Sequence, residues 1–276
     1  MAALDGGAAG LAVASGQTAS AYSIQNLARA GDNIVSSSHL YGGTYNQFKN
    51  NLKEMGIEVR FVDPTDPENF EKATDDKTRA YFAETLPNPK LHVFPISEVA
   101  DIGRKHHIPL IVDNTAAPVL CRPFDHGAAI TTYSTTKYIG GHGTTIGGLI
   151  VDGGNFDWGK AGADRQPAMN TPDPCYGGVV WDEQVTKNMG LPFAYLLKLR
   201  TTLLRDLGGA MSPFNAWMFI QGLETLPLRM REHAKNAQAV AEALAANKKV
   251  QSVTYPGLFE GAEKEKADKY LSLIHI

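Results

Sequence analysis

Short β-branched and apolar runs alternate along the chain with segments of helical periodicity. The helical pattern is clearest in Ile96–His106, where Ile96, Val99, Ala100 and Gly103 share one face. Six apolar runs are predicted to be strands: Asn33–Ser36, Glu58–Val62, Arg79–Ala83, Ile108–Val112, Ile130–Tyr133 and Ile146–Val151. Strands that alternate with helices predict an α/β protein built on a mainly parallel sheet.

The rest of the chain is predicted to contain further helices, a long loop and the start of a second domain. The segment Asn155–Tyr176 is rich in Gly, Pro, Asp and Asn and is predicted to be a long loop. Val250–Tyr255 is predicted to be a strand that opens a second domain, so that residues 1–233 form the large domain and 234–276 begin a smaller one. The additional predicted helices are Thr18–Arg29, Tyr45–Met55, Leu191–Leu207, Pro213–Gly222 and a segment with Met230, Ala234, Ala237, Ala241 and Leu244 on one stripe.

The composition is that of a soluble globular protein, with 43% apolar and 20% charged residues in a chain of 276. A net charge of -3 gives no electrostatic argument for nucleic acid or an anionic membrane surface as a partner. Cys121 and Cys175 are too few for a disulfide framework, and the Cys and His residues lack metal-ligand spacing. No charged signal-peptide region and no long apolar span are visible, so a cytoplasmic location is expected.

Lys137 lies in the run Tyr133-Ser134-Thr135-Thr136-Lys137-Tyr138, at the end of a predicted strand. A lone lysine is usually a solvated surface residue. Here Ser134 and Thr136 precede it at alternate positions, which predicts two hydroxyls on the same side of the strand. Such hydroxyls could bind a phosphate while the lysine amine reacts with an aldehyde.

Asp113 follows the apolar strand Ile108–Val112 and lies where ligands bind in open α/β sheets, beyond the carboxyl ends of strands. A carboxylate there could keep a pyridine nitrogen protonated. The alternative is a turn aspartate that caps the next segment. One further strand separates Asp113 from Lys137, so both can reach one crevice.

Three further motifs precede Asp113, and each has a simpler alternative. The amides of Gly16 and Gln17, in Ser15-Gly16-Gln17-Thr18, could bind phosphate at a helix N-terminus, although Ser and Thr are also ordinary helix caps. Tyr41, before Gly42-Gly43, could stack on a ring or could be a tyrosine at a glycine turn. Asn88 could donate its amide to a phenolate oxygen or could belong to an ordinary Asn-Pro turn.

Taken together, this order of residues is what a lysine-bound pyridoxal phosphate (PLP) site requires, and it resembles the Cys/Met-metabolism family of fold-type-I PLP enzymes. The resemblance extends from about Ala2 to Gly257. It implies a three-layer α/β/α large domain with a mainly parallel sheet, followed by the start of a small C-terminal domain. A Rossmann nucleotide binder is disfavoured because no G-x-G-x-x-G follows the first strand.

The resemblance also implies a role for each candidate residue. Lys137 would be the Schiff-base lysine and, with Tyr41, would be catalytic. The cofactor would be held by the ring of Tyr41, the carboxylate of Asp113, the amide of Asn88, the amides of Gly16 and Gln17 and the hydroxyls of Ser134 and Thr136. Glu84 matches a further family carboxylate near the cofactor.

Within the family, the stretches Asp152–Trp158, Pro172–Tyr176 and Leu203–Thr225 resemble the O-acetylhomoserine sulfhydrylase branch. This implies γ-replacement on O-acetylhomoserine by sulfide or a thiol, with homocysteine or methionine and acetate as products. Two alternatives stay open: γ-elimination of the methionine γ-lyase or cystathionine γ-lyase type, and an inactive cofactor-binding fragment.

The chain also departs from the family at both ends. The family's N-terminal Tyr-x-Arg element and the C-terminal arginine that binds the substrate carboxylate have no counterpart, so the chain is expected to be a fragment of a longer enzyme. The last six residues, Leu271–Ile276, resemble adapter read-through. The resemblance further implies a homotetramer, a dimer of dimers with shared active sites, that binds small-molecule substrates.

Overall fold

A single seven-stranded sheet organises the protein, for which a computed structural model describes residues 1–271. The strands occur in the order β1-β7-β6-β5-β4-β2-β3. Only β7 is antiparallel to its neighbours; the other pairings are parallel. The strands are β1 (Ala9–Val13), β2 (Asn33–Ser37), β3 (Glu58–Val62), β4 (Thr78–Glu84), β5 (Leu110–Asp113), β6 (Ile130–Ser134) and β7 (Gly148–Asp152).

Helices connect the strands and cover both faces of the sheet. The α-helices are α1 (Ala2–Asp5), α2 (Gly16–Gln25), α3 (Gly42–Asn46), α4 (Glu68–Lys72), α5 (Ile96–His106), α6 (Trp158–Arg165), α7 (Pro167–Asn170), α8 (Ala194–Leu199), α9 (Arg205–Leu207), α10 (Pro213–Glu224), α11 (Leu226–Ala245) and α12 (Gly261–Tyr270). The π-helical turns are Gln47–Leu52, Asp182–Asn188 and Arg200–Leu204, and the 3₁₀ turns are Pro123–His126, Pro174–Tyr176 and Pro256–Leu258.

Two hydrophobic cores lie on opposite faces of the sheet, because successive strand side chains point in opposite directions. Phe82 and Ile111 pack in the first core with α2 and α8. Their neighbours Ala83 and Val112 pack in the second core with α5, α11 and α12. The predicted three-layer α/β/α architecture with a mainly parallel sheet is therefore confirmed.

The strand register brings several strand ends to one edge of the sheet. Glu84 pairs with Asp113, and Asp113 pairs with Thr132. Across the antiparallel β7, Gly148 pairs with both Val13 and Ser134. The carboxyl ends of β1, β4, β5 and β6 consequently lie side by side.

All six predicted strands are present, with bounds that agree within two residues, and helix Ile96–His106 has the predicted bounds. The sequence did not predict β1, because Ala9-Gly10-Leu11-Ala12-Val13 has only one β-branched residue. Pairing with β7 along its whole length makes it a strand at the sheet edge.

Two segment predictions are wrong. Residues Val250–Tyr255 are irregular rather than a strand, because they do not join the sheet. The predicted loop Asn155–Tyr176 contains α6, α7 and a 3₁₀ turn, and the side chain of Asp157 caps α6 by accepting from the Lys160 amide.

The C-terminal part of the described chain packs back onto the second layer. Lys269 forms an ion pair with Glu98 of α5 at 2.9 Å, and the Tyr270 hydroxyl accepts from the Ser97 amide at 3.1 Å. Leu271 is buried in the second core, while the other residues of the predicted non-native end, 272–276, lie outside the described residues. Over residues 1–271, no helix has the length and apolarity needed to cross a membrane.

Candidate active site

The turn between β1 and α2 packs directly against the end of β6. A Cβ atom added to Gly16 would lie 2.6 Å from Cβ and 2.9 Å from Cα of Ser134, which is closer than real Cβ contacts. Only glycine therefore permits this approach. The structure thus brings Gly16 and Ser134 together, as the sequence predicted.

Helix α2 directs its first amides at this junction. The hydroxyl oxygen of Ser15 caps the helix by accepting from the Thr18 amide at 3.0 Å. The amides of Gly16 and Gln17 precede it and have no acceptor inside the helix. The Gln17 side chain also donates to the Thr44 hydroxyl at 3.3 Å, which ties α2 to α3. The junction is suited to an anion, because the positive end of the helix dipole adds to these free donors.

Glu84 and Asp113 form a pair of carboxyl groups on adjacent strand ends. Burial, together with the charge of Asp113, raises the pKa of Glu84 to about 8. Burial likewise raises the pKa of Asp113. Within residues 1–271, none of the ion pairs includes either carboxyl group. A cationic group bound beside them would stabilise their ionised forms.

Thr115 holds the end of β5 and the end of β6 in place, and sequence reasoning missed it. Its amide donates to Oδ1 of Asp113 at 2.9 Å, and its hydroxyl accepts from the Ser134 amide at 2.7 Å. The first contact is an Asx turn, which the pattern Asp113-Asn114-Thr115 could have indicated. The second depends on strand order, which the local sequence does not specify.

The backbones of Tyr41 and Asn88 both donate hydrogen bonds to the carboxyl group of Glu84. The Tyr41 amide donates to Oε1 of Glu84 at 2.7 Å, and hydrogen bonds from the backbones of Tyr41 and Asn88 partly offset the rise in the Glu84 pKa. The Tyr41 ring is 49% exposed and lies over Gly43. Asn88 is exposed and precedes the cis bond to Pro89. The ring-stacking role of Tyr41 and the amide role of Asn88 stay predictions.

The local geometry around Lys137 corrects one prediction. Strand β6 ends at Ser134, so Thr136 and Lys137 lie in the following turn rather than in the strand. The strand alternation on which the prediction of two hydroxyls on one side was based therefore does not extend to Thr136. The Thr136 hydroxyl instead accepts from the Gly147 amide at 3.2 Å. Lys137 is exposed, and its backbone carbonyl accepts from the Gly141 amide at 2.8 Å.

A cavity of about 440 Å³ opens beside Thr136. It lies between the turn that follows Lys137, residues 140–145, and the side chains of Met218 and Phe219 on α10. The strand ends, the α2 N-terminus and this turn therefore combine an anion-binding junction, a carboxyl pair that favours a cation and a solvent-accessible amine. Such a set can hold an anionic, nitrogen-containing aromatic ligand and can attack a carbonyl group on it.

The family model for Cys/Met metabolism PLP-dependent enzymes matches residues 1–274. The chain belongs to this family. The family and the cofactor predicted from the sequence, pyridoxal phosphate, are thereby confirmed.

Curated members of the family resemble the chain over almost all of its length. An O-acetyl-L-homoserine sulfhydrylase of Leptospira meyeri is 49% identical over 274 residues, which cover 98% of this chain and 61% of that protein. A homocysteine/cysteine synthase of Saccharomyces cerevisiae is also 49% identical over 274 residues, covering 99% of this chain and 60% of that protein. The chain thus spans about three fifths of the length of these relatives.

Solved structures of the family have the same fold. An O-acetylhomoserine (thiol)-lyase of Campylobacter jejuni superposes with a TM-score of 0.89 at 39% identity, over 98% of this chain and 65% of that one. That structure contains N'-pyridoxyl-lysine-5'-monophosphate. An O-acetylhomoserine sulfhydrylase of Wolinella succinogenes gives a TM-score of 0.83 at 32% identity, over 98% of this chain and 73% of that one.

Proposed function

We propose that the chain is the cofactor-binding part of an enzyme that performs γ-replacement on O-acetylhomoserine, with sulfide or a thiol as the sulfur donor. Two relatives that are 49% identical, named a sulfhydrylase and a homocysteine/cysteine synthase, support this choice of reaction. The observation that carries the proposal is the meeting of Gly16 with Ser134 beside the carboxyl pair Glu84 and Asp113, ahead of Lys137.

The residues at the sheet edge fit pyridoxal phosphate at both ends of that molecule. The phosphate would lie at the Gly16–Ser134 junction, within reach of the amides of Gly16 and Gln17 and the hydroxyl of Ser134. The carboxyl pair supports Asp113 as the partner of the ring nitrogen, because burial raises both pKa values and a protonated pyridine beside the pair would favour the ionised carboxylates. Lys137 would carry the cofactor.

Three further residues complete the proposed set. Tyr41 would stack its half-exposed ring on the cofactor, and its amide already fixes Glu84. Asn88 would donate to the cofactor's phenolate oxygen. Thr136 would contribute less to phosphate binding than the sequence suggested, because its hydroxyl is already bonded to Gly147.

The cofactor, when bound, supplies an electron sink for the carbon atoms of the amino acid. The protein's contribution is to hold and move protons at defined atoms. The amine of Lys137 would remove the proton from Cα of the substrate and then one from Cβ before acetate leaves, and protons would return to both carbons once the Cγ–S bond has formed. Asp113 would hold the ring nitrogen in its protonated form. Acetate would leave from Cγ, and hydrosulfide would form the new Cγ–S bond, so that O-acetylhomoserine and hydrosulfide become homocysteine and acetate.

Product analysis tests the proposed reaction. The purified chain, loaded with PLP, is incubated with O-acetylhomoserine in the presence and absence of sulfide. We expect homocysteine and acetate only when sulfide is present. Release of ammonia and a keto acid without sulfide would instead support γ-elimination.

A cofactor-binding chain without turnover is the second candidate, and the length of the relatives favours it, because the chain spans about three fifths of them. PLP binding without product formation would identify this case. Absence of both would contradict the proposed function.

We further infer that residues 1–233 form the large domain and that 234–276 begin a small C-terminal domain. All seven strands lie before residue 153, while α11 would link the two parts. Limited proteolysis should then cleave first after α11; initial cleavage within the sheet would contradict the division.

A homotetramer with shared sites is inferred from the apolar side chains that α10 leaves exposed, namely Phe214, Trp217 and Ile220. Sedimentation as a monomer at micromolar concentration would contradict it.

A cytoplasmic location is supported by the two free cysteines, Cys121 and Cys175, and a fluorescent fusion seen outside the cytoplasm would exclude it.

A further inference from the structure

A buried chain of hydrogen bonds runs directly behind the candidate site. At its centre the Tyr133 hydroxyl donates to Oδ2 of Asp5 at 2.7 Å and accepts from the side-chain amide of Asn114 at 3.0 Å. The Thr85 hydroxyl donates to the side-chain oxygen of Asn114 at 2.8 Å. All four residues are at most 1% exposed. We call Asp5, Thr85, Asn114 and Tyr133 the buried polar chain.

Each of three members of this chain adjoins a candidate cofactor residue in sequence. Thr85 follows Glu84, Asn114 follows Asp113, and Tyr133 precedes Ser134. Neighbouring residues of a strand face opposite sides of the sheet, so Tyr133 packs in the second core while Ser134 faces α2. Thr85 and Asn114 follow the ends of β4 and β5, and their hydrogen bonds place them on the side of Tyr133.

Backbone hydrogen bonds couple the two sides. The Thr85 amide donates to the carbonyl of Asp113, and the Asn114 amide donates to the carbonyl of Thr132, each at 3.0 Å. Side-chain bonds within the buried polar chain thus link the ends of β4, β5 and β6 to each other. The chain also links these strand ends to α1, because Oδ2 of Asp5 accepts from the hydroxyl groups of Tyr133 and, at 3.4 Å, Thr131.

We propose that the buried polar chain positions Glu84, Asp113 and Ser134 for the cofactor, with Tyr133, Asn114 and Thr85 acting as positioning residues. This inference rests on the proposed function. A polar network of this kind fixes one arrangement of the strand ends, because each member can satisfy its partners only in that arrangement. Losing one bond would leave the strand ends free to shift against one another, and the two ends of the cofactor would then no longer be held together.

The test compares two buried tyrosines. Tyr133→Phe removes the central hydroxyl of the buried polar chain. Tyr81→Phe is the matched control, since Tyr81 is equally buried in the same core but bonds to Thr74, away from the strand ends. The dissociation constant of PLP is measured for each protein by absorbance titration, and the urea midpoint is measured without PLP. We expect Tyr133→Phe to weaken PLP binding roughly tenfold, and Tyr81→Phe to change it less than about twofold.

Thr85 provides a second, milder pair of variants. Thr85→Val keeps the shape but removes the hydroxyl donor, whereas Thr85→Ser keeps the donor. We expect weaker PLP binding and a displaced visible absorption band only in Thr85→Val. This comparison stands even if Tyr133→Phe does not fold.

The outcomes separate this inference from the proposed function. Equal PLP affinity in Thr85→Val and Thr85→Ser, or in Tyr133→Phe and Tyr81→Phe, would overturn the positioning role while leaving the function intact. Failure of the unchanged chain to bind PLP would overturn both.

Discussion

At the scale of single residues, the paired strand ends bring Glu84 and Asp113 together as two buried carboxyl groups. Two like charges that are buried on adjacent strand ends cannot both ionise easily. Glu84, with its pKa raised to about 8, is protonated in the folded chain at pH 7 and binds a proton that the unfolded chain has released. A cationic partner would therefore stabilise the two carboxylates, and without one the buried pair lowers the free energy of unfolding at neutral pH.

This pairing predicts a pH-dependent stability. Between about pH 4.5, the ordinary pKa of a glutamate, and pH 8, the folded state binds more protons at Glu84 than the unfolded state. The free energy of unfolding should therefore fall as pH rises through this window. The free energy of unfolding in urea, measured at several pH values for the chain and for Glu84→Gln, should fall less with rising pH in the variant.

The comparison isolates the Glu84–Asp113 pair, because the raised carboxyl groups outside the pair are common to both proteins. Burial raises the pKa of Asp5 to about 6 and that of Asp152 to about 7, and both contribute equally to each curve. If the free energy of unfolding depends on pH with the same slope in both proteins, Glu84 is ionised in the folded state and the prediction is wrong.

The sequence predicted the strand-end position of Asp113, because an apolar run that ends in a carboxylate is visible without any partner. The sequence did not predict the structural roles of Thr115, Asn114 and Tyr133. Their hydrogen bonds cross between strands that are distant in the sequence, so the pairing of β5 with β6 had to be known first.

At the scale of elements, the junction of α2 with β6 forms the end of the candidate site where we propose that the phosphate binds. Its geometry depends on Gly16, where backbone and Ser134 approach too closely for any side chain. The close approach of α2 to β6 therefore depends on this one glycine.

We expect Gly16→Ala to push α2 away from β6. The added methyl group would overlap Ser134, at a cost of about 1–3 kcal/mol in stability, and PLP affinity should fall together with stability. Gly42→Ala is a suitable control, because Gly42 begins α3 and a Cβ there meets no atom within 4 Å. Equal PLP affinity in the two variants would contradict a phosphate site at this junction.

Elements with strong local signals were predictable, and the others were not. Helix α5 has apolar residues on one face and so had the predicted bounds. In β1, small residues carry little strand preference, and only its partner β7 makes it a strand. The predicted strand Val250–Tyr255 failed for the reverse reason, since its apolar residues do not meet a neighbouring strand.

At the scale of the whole molecule, alternating strands and helices were enough to predict an α/β fold with a mainly parallel sheet, and the resemblance to the family implied its three layers. The order of strands was not predictable, because it depends on which connections cross over, and β7 lies between β1 and β6. The packing of α12 on α5 was also not predicted, because it depends on contacts between segments that are distant in the sequence. Tyr270 and Lys269 anchor α12 to Ser97 and Glu98.

The central claim is that Lys137 carries pyridoxal phosphate at the edge of this sheet. The most direct test is to mix the purified chain with PLP, record the absorbance spectrum before and after borohydride reduction, and map the modified peptide. The account predicts a visible band that reduction fixes onto Lys137, with no such label in Lys137→Ala. A folded chain that gives no band, or a label on another lysine, would contradict it.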